Sequence, residues 1–187
     1  MRLDGGHPAL DLVNTIYGQV GEPPEHDVLA APADLVTFAR RVGLGDAPSA
    51  PDALTAARRL RDALDALLRA QLAGEPPPDG PRAAVEAAAR AALAAGTLVP
   101  GAGWTFPAGD AMTPVHRLAL AAADLLADAG ELARLHVCAG CCWLFLDHSR
   151  GTTRRWCSMA DCGTEAKKRR YVARRRAARL TPGGRGG

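Results

Sequence analysis

Large aromatic side chains are scarce: three Trp, three Phe and two Tyr in 187 residues. The body of the chain must therefore pack through Leu and Ala. No run of eighteen or more apolar residues occurs, which removes the signal of a membrane-spanning helix. The opening "MRLDGGHPALDLVNT" has neither a basic start nor an uninterrupted apolar stretch, so a soluble, cytoplasmic protein is expected, without membrane partners. No nucleophile–base pair, phosphate-binding glycine loop or open-site metal motif is visible, and an enzyme is not expected. Acidic residues run out late in the chain. Residues 1–137 hold 17 Asp/Glu against 11 Lys/Arg, whereas residues 138–187 hold only Asp147, Asp161 and Glu165 against 12 Lys/Arg. A basic segment beside an acidic body points to a polyanionic partner, nucleic acid first and an anionic surface second, with a solvated tail as the plain alternative.

The chain is punctuated by Pro/Gly clusters at 18–27, 43–52, 74–81 and 100–103. None of these can continue a helix or a central strand. Between them the periodicity is helical. "DLVTFARRVG" offers Asp34 as N-cap and Gly43 as terminator, and the next segment sets Leu54, Leu60, Leu64, Leu67, Leu68 and Leu72 on one stripe. "PRAAVEAAARAALAAG" predicts Pro81 in the first helical position and Gly96 at the end. "TPVHRLALAAADLLADAG" predicts Thr113 as N-cap, Pro114 next and Gly130 as terminator. "TLVPGAGWTF" reads as a hairpin, and "ARLHVC" with "CWLFLD" as short strands that pair. The expected fold class is mainly α with a small antiparallel β component. Two modules fit the length: a helical domain over 1–134 and a small zinc-binding module over 135–180, followed by a disordered tail at 181–187.

Five cysteines fall within twenty-five positions. Cys138 and Cys141 form C-x₂-C, Cys157 and Cys162 form C-x₄-C, and fifteen residues separate the pairs. Two close pairs across such a loop match a structural site in which four thiolates bind one Zn²⁺ tetrahedrally. A segment this short, with only Trp143, Phe145 and Trp156 as bulky groups, needs a metal to fold. Two disulfides or a redox C-x₂-C are the weaker alternatives, and His136 or His148 could replace a thiolate.

After the second pair, "TEAKKRRYVARRRAARL" predicts a helix with Thr164 as N-cap and Glu165 in the first turn. Lys167, Lys168, Arg170, Arg174 and Arg175 cover much of its surface, and Arg150, Arg154 and Arg155 add a second basic element between the cysteine pairs. Together they outline a surface suited to the phosphates of double-stranded DNA.

"CAGCCWLFLDHSRGTTRRWCSMADCGTEAKKRR" resembles the CGNR-type zinc finger. "GHPALDLVNT" with "LVPGAGWTF" resembles the ABATE domain that accompanies it in bacterial stress-response transcription regulators. Trp143, Phe145, Asp147, Ser149, Arg154, Arg155, Trp156, Cys157, Met159, Cys162 and Gly163 fall where the family has similar residues. The resemblance implies a zinc-bound, DNA-binding C-terminal module and a helical regulatory domain. It also places Cys141 at the ligand position and leaves Cys142 over. The chain departs from the family at "CGTE", where Thr164 and Glu165 replace Asn and Arg, and in a first cysteine pair shorter than the usual C-x₄-C.

In the N-terminal domain, Asp11, Asn14 and Thr15, with Trp104 from the hairpin, are candidates for a small-molecule pocket. The alternative makes Asp11 and Asn14 helix caps or turn formers and leaves His7 exposed. The expected function is a DNA-binding regulator whose helical domain senses an effector or forms a homodimer. A protein-interaction adaptor, with zinc as a structural clip and the basic helix on an acidic partner, is the second reading.

Overall fold

The first helix, α1 (Pro8–Val13), is capped by His7, whose Nδ1 accepts from the Ala9 N–H at 3.2 Å. It leads into β1 (Ile16–Tyr17), which pairs antiparallel with β2 (His26–Asp27). Then come α2 (Pro32–Arg41), α3 (Pro51–Ala73) and α4 (Asp79–Ala95), and the hairpin of β3 (Thr97–Val99) with β4 (Gly103–Thr105). Next follow α5 (Thr113–Ala127), the single turn α6 (Ala129–Leu132), and a second hairpin, β5 (Leu135–Val137) with β6 (Leu144–Leu146). A π-turn at Met159–Gly163 runs directly into α7 (Thr164–Leu180). The computed structural model describes residues 2–18, 26–151 and 153–180, with side chains as far as residue 176. The expected tail at 181–187 and much of the 18–27 break lie outside the described residues. The fold is mainly helical with small antiparallel pairs, as the periodicity predicts.

α3 buries Leu54, Leu60, Leu64, Leu67 and Leu68 against α1, α2, α4 and α5. Each such leucine contributes about 1.5–3 kcal/mol of transfer free energy. Leu72, at the end of the stripe, is 38 % exposed because α3 has passed the edge of the core there. Phe38 is the one aromatic of this core among the described residues. α4 is peripheral: only Val85 and Ala92 are buried along its length.

Several helix starts differ from the sequence reading. α2 begins at Pro32, so Asp34 is its third residue rather than its cap, and the Asp34 carboxylate accepts from the Ala31 N–H at 2.7 Å. α4 begins two residues before Pro81. Thr113 is the first helical residue of α5, not its cap, and α5 stops before Gly130 because Asp128 intervenes. The Asp128 carboxylate accepts from the Gly130 and Glu131 N–H groups at 2.8 and 3.0 Å and starts α6. In each case a proline or a short acidic side chain acts one to three positions from where the simplest cap rule places it.

β6 joins the two halves of the molecule. Side chains alternate along a strand, so Leu144 and Leu146 face one way and Phe145 the other. Leu144, Leu146 and Leu135, which pairs with Leu146, enter the helical core, whereas Phe145 packs with Trp143, Cys138, Cys157 and Cys162. The helical core therefore includes residues beyond 134.

Candidate metal centre and basic helix

The cysteine cluster is built on the turn that links β5 to β6. Cys138 N–H donates to the Trp143 carbonyl at 2.8 Å, Cys142 N–H to the Cys138 carbonyl at 3.3 Å, and Gly140 N–H to Cys138 Sγ at 3.4 Å. Gly140 is required by space: a Cβ there would lie 3.1 Å from Cys162 Cβ and 3.4 Å from its Sγ. The turn closes through Cys142 at φ 56°, a left-handed conformation that a non-glycine residue adopts at some cost. The second pair sits on the π-turn. Ser158 caps it, its Oγ accepting from the Asp161 N–H at 3.3 Å, and Gly163 N–H donates to the Ser158 carbonyl at 3.0 Å. Thr164 is therefore not the cap of α7; its hydroxyl donates back to the Met159 carbonyl at 3.1 Å. Cys162 and Gly163 are the buried residues of this turn.

The thiols of Cys138, Cys141, Cys157 and Cys162 all lie within 4.8 Å of one another. Cys141 and Cys157 sulfurs are 3.6 Å apart, and those of Cys157 and Cys162 3.8 Å. Four thiolates at Zn–S bonds of about 2.3 Å in a tetrahedron stand about 3.8 Å apart, so the set fits zinc. The same separations are far beyond a disulfide bond of about 2.05 Å, and all five cysteines are free. Cys142 stands outside the set, half-buried on the other side of the turn. His136 stacks at a tilt on Phe145, with ring centroids 5.7 Å apart, and His148 pairs with Glu131, so neither joins the four thiols.

Crowding without a cation sets the thiols against each other. The close approach of Cys141 and Cys157 pulls the Cys138 thiol far down, while the nearness of Cys138 pushes Cys141 up to about 12 and raises Cys157 as well. A divalent cation removes the conflict, since all four can then be thiolates.

A loop of basic residues is braced by Asp147, which is fully buried. Burial alone would raise its carboxyl, but hydrogen bonds from Ser149 and from the Arg154 N–H outweigh that and hold it at about 2. Arg154 is half-buried: its guanidinium donates to the Cys157 carbonyl and lies 4.9 Å over the Phe145 ring. Arg150 and Arg155 are exposed, the latter 5.4 Å over the Trp156 ring. On α7, Lys167, Lys168, Arg170, Arg174 and Arg175 are all exposed, together with Arg169 and Arg176. Glu165 forms a 3.8 Å ion pair with Lys168, and Arg175 lies 5.7 Å over Tyr171. The helix packs chiefly on the π-turn that carries Cys162.

The four residues expected to line one pocket are not brought together. Asp11 is buried and accepts from the Gly5 N–H at 3.0 Å; burial pushes its carboxyl up to about 6 against the lowering effect of that bond. Thr15 is fully buried, its hydroxyl donating to the Leu12 carbonyl at 2.7 Å. Trp104 lies on the β3–β4 hairpin, with its ring against Gly96 at the end of α4. Asn14 lines a cavity between α1, α3 and the cysteine turn, and its amide does more than that. Its Nδ2 donates to the Leu144 carbonyl at 2.8 Å and its Oδ1 accepts from the Leu144 N–H at 2.9 Å, clamping α1 to β6. Sequence reasoning missed this pairing and that of Arg2. The Arg2 guanidinium forms ion pairs with Asp4 at 3.2 Å and Asp161 at 2.8 Å and lies 5.0 Å over the Trp143 ring. Both link positions more than a hundred residues apart, which no local pattern signals.

Among the described residues no helix is long and apolar enough to cross a membrane. A search of the curated proteins finds no match to the chain. Comparison with known families matches residues 134–175 to the CGNR zinc finger, the segment that carries the four thiols and most of α7. Residues 6–129 match ABATE, described as "Putative stress-induced transcription regulator". The chain therefore belongs to the ABATE family and carries, after that domain, a CGNR zinc finger with a four-cysteine site for one structural zinc.

Proposed function

We propose that the protein is a cytoplasmic, non-catalytic DNA-binding regulator of transcription, in which the zinc finger presents α7 to the duplex and the helical domain governs that contact. The observation that carries this reading is α7 itself: seven exposed Lys and Arg side chains between 167 and 176, on a helix rooted in the metal cluster through Cys162 and otherwise largely free of the body. A helix of this kind meets phosphates along a groove, with the zinc fixing its angle of entry. Arg155 and Arg150 extend the same charge into the preceding loop, while Arg154 serves to hold that loop in shape. A homodimer would present two such helices to paired half-sites.

Duplex binding across a salt series tests this. If four or five of the α7 cations touch phosphates, the slope of log affinity against log salt is about −4, and affinity falls by about two orders of magnitude between 50 and 200 mM salt. A zinc-loaded protein with no measurable binding at low salt would rule the function out. A salt-sensitive complex with an acidic protein, but none with DNA, would favour the adaptor reading instead.

A further inference from the structure

We propose that the cavity between α1, α3 and the cysteine turn is the binding site of a small effector, a neutral, flat, amphipathic molecule, whose occupancy is linked to the zinc site through Trp143. The cavity holds about 300 Å³. That is the low end of the range of ligand pockets, about 300–1,000 Å³. Its place is unusual in the fold, since it is walled by the helical domain on one side and by residues adjoining the metal ligand Cys141 on the other.

The lining sets the ligand's chemistry. Val13, Tyr17 and Trp143 provide an apolar wall, with the Tyr17 and Trp143 rings edge to face at 6.2 Å between centroids. The opposite wall carries two guanidinium groups and two carboxylates that already satisfy each other. Arg69 Nε donates to both Asp65 oxygens at 2.9 Å, and Arg61 donates to Asp62 at 3.0 Å and, behind the wall, to Asp27 at 2.8 Å. A charged ligand would find no unmatched countercharge and an equal number of like charges, so a neutral one is favoured. Flat aromatic bodies suit the Tyr17–Trp143 wall. Trp143 is 6 % exposed, so only a part of its ring surface faces the cavity.

The link to zinc follows from the backbone. Cys142, in its left-handed conformation, forms part of the wall, and its carbonyl accepts from Arg69 Nη2 at 3.4 Å. It adjoins Cys141, while the Trp143 carbonyl holds the Cys138 N–H. A molecule that fixes Trp143 and Cys142 therefore fixes the turn that presents two of the four thiolates. Binding and metal retention must then favour one another.

The probe is Prodan, a neutral naphthalene ketone whose emission shifts to the blue in apolar surroundings, added to the zinc-loaded full chain. Saturable binding at one site per chain is expected. Tyr17→Ala should weaken it about tenfold, as loss of an aromatic wall implies. Ile16→Trp, which fills the cavity from β1, should abolish it, while Leu98→Ala, on the exposed β3–β4 hairpin, should change nothing. Bound Prodan should also slow zinc transfer to a chelator several-fold in the unaltered chain and not in Ile16→Trp. Non-saturable binding, equal binding by Ile16→Trp, or loss in Leu98→Ala would overturn the site; an unchanged rate of zinc transfer with Prodan bound would overturn the link. The term effector rests on the DNA-binding reading. The site and its link to zinc do not, so a failure of duplex binding leaves both standing.

Discussion

Replacing Asn14 by Leu, close to it in volume, removes both bonds of the clamp between α1 and β6 while keeping the packing. Asn14 is 3 % exposed and Leu144 fully buried, so water cannot take over as partner. Leaving the Leu144 N–H and carbonyl without these bonds costs about 1–3 kcal/mol each, or about 4 kcal/mol together. For a chain of this length that corresponds to a fall in melting temperature of about 10 °C. Urea unfolding of the zinc-loaded protein would be followed by helical circular dichroism and by tryptophan emission, which is weighted toward Trp143 and Trp156 beside the cysteines. The two signals should coincide in the unaltered chain. In Asn14→Leu they should separate, the tryptophan transition coming first, because the finger has lost a buried two-bond tie to the body. A variant within about 1 kcal/mol of the original, with coincident transitions, would refute the clamp.

Serine at Cys141 should abolish zinc retention and serine at Cys142 should preserve it, measured as metal per chain after dialysis against a chelator; the reverse result would assign the ligands wrongly. Gly140→Ala should weaken zinc affinity about tenfold, since its Cβ presses on Cys162 at 3.1 Å, and an unchanged affinity would contradict that contact. The Asp11 carboxyl is raised from 3.8 to about 6 in the fold, so its contribution is fully present below pH 3.8 and is lost as pH rises through 6. The full effect is about 3 kcal/mol, and Asp11→Asn should flatten the stability profile between those limits and raise the midpoint of unfolding at pH 7. The Asp147 carboxyl is lowered to about 2, so its contribution is present above pH 3.8 and is lost as pH falls toward 2; Asp147→Asn should remove that acid-side slope.

What the sequence made legible were features whose information is local. The spacing of Cys138, Cys141, Cys157 and Cys162 encodes a tetrahedral site within twenty-five residues, and the leucine period of α3 encodes its buried face. Helix starts were legible only to within a few positions, because proline and aspartate act at several places in a first turn and the sequence does not say which. The role of Asn14 was not legible at all. Its partner lies 130 residues away, and an asparagine after a short apolar helix reads equally well as a cap or a pocket residue. Nothing local in the sequence signals that the Trp104 hairpin packs on the end of α4. The π-turn was hidden for another reason: Thr164 after Cys-Gly reads as an ordinary cap until the geometry of Cys162 demands one more residue in the turn.

The alternation along β6 bears on how this finger could be moved between proteins. Grafts of zinc fingers assume a unit whose outer surface is polar once the metal is in place. Here a cut at residue 134 would carry Leu135, Leu144 and Leu146 away from the helices that cover them, together with a Leu144 backbone stripped of its asparagine. A transplanted finger would present a bare apolar strip to solvent. A chimera that works must borrow α1 along with the finger, or recode that strip as polar residues.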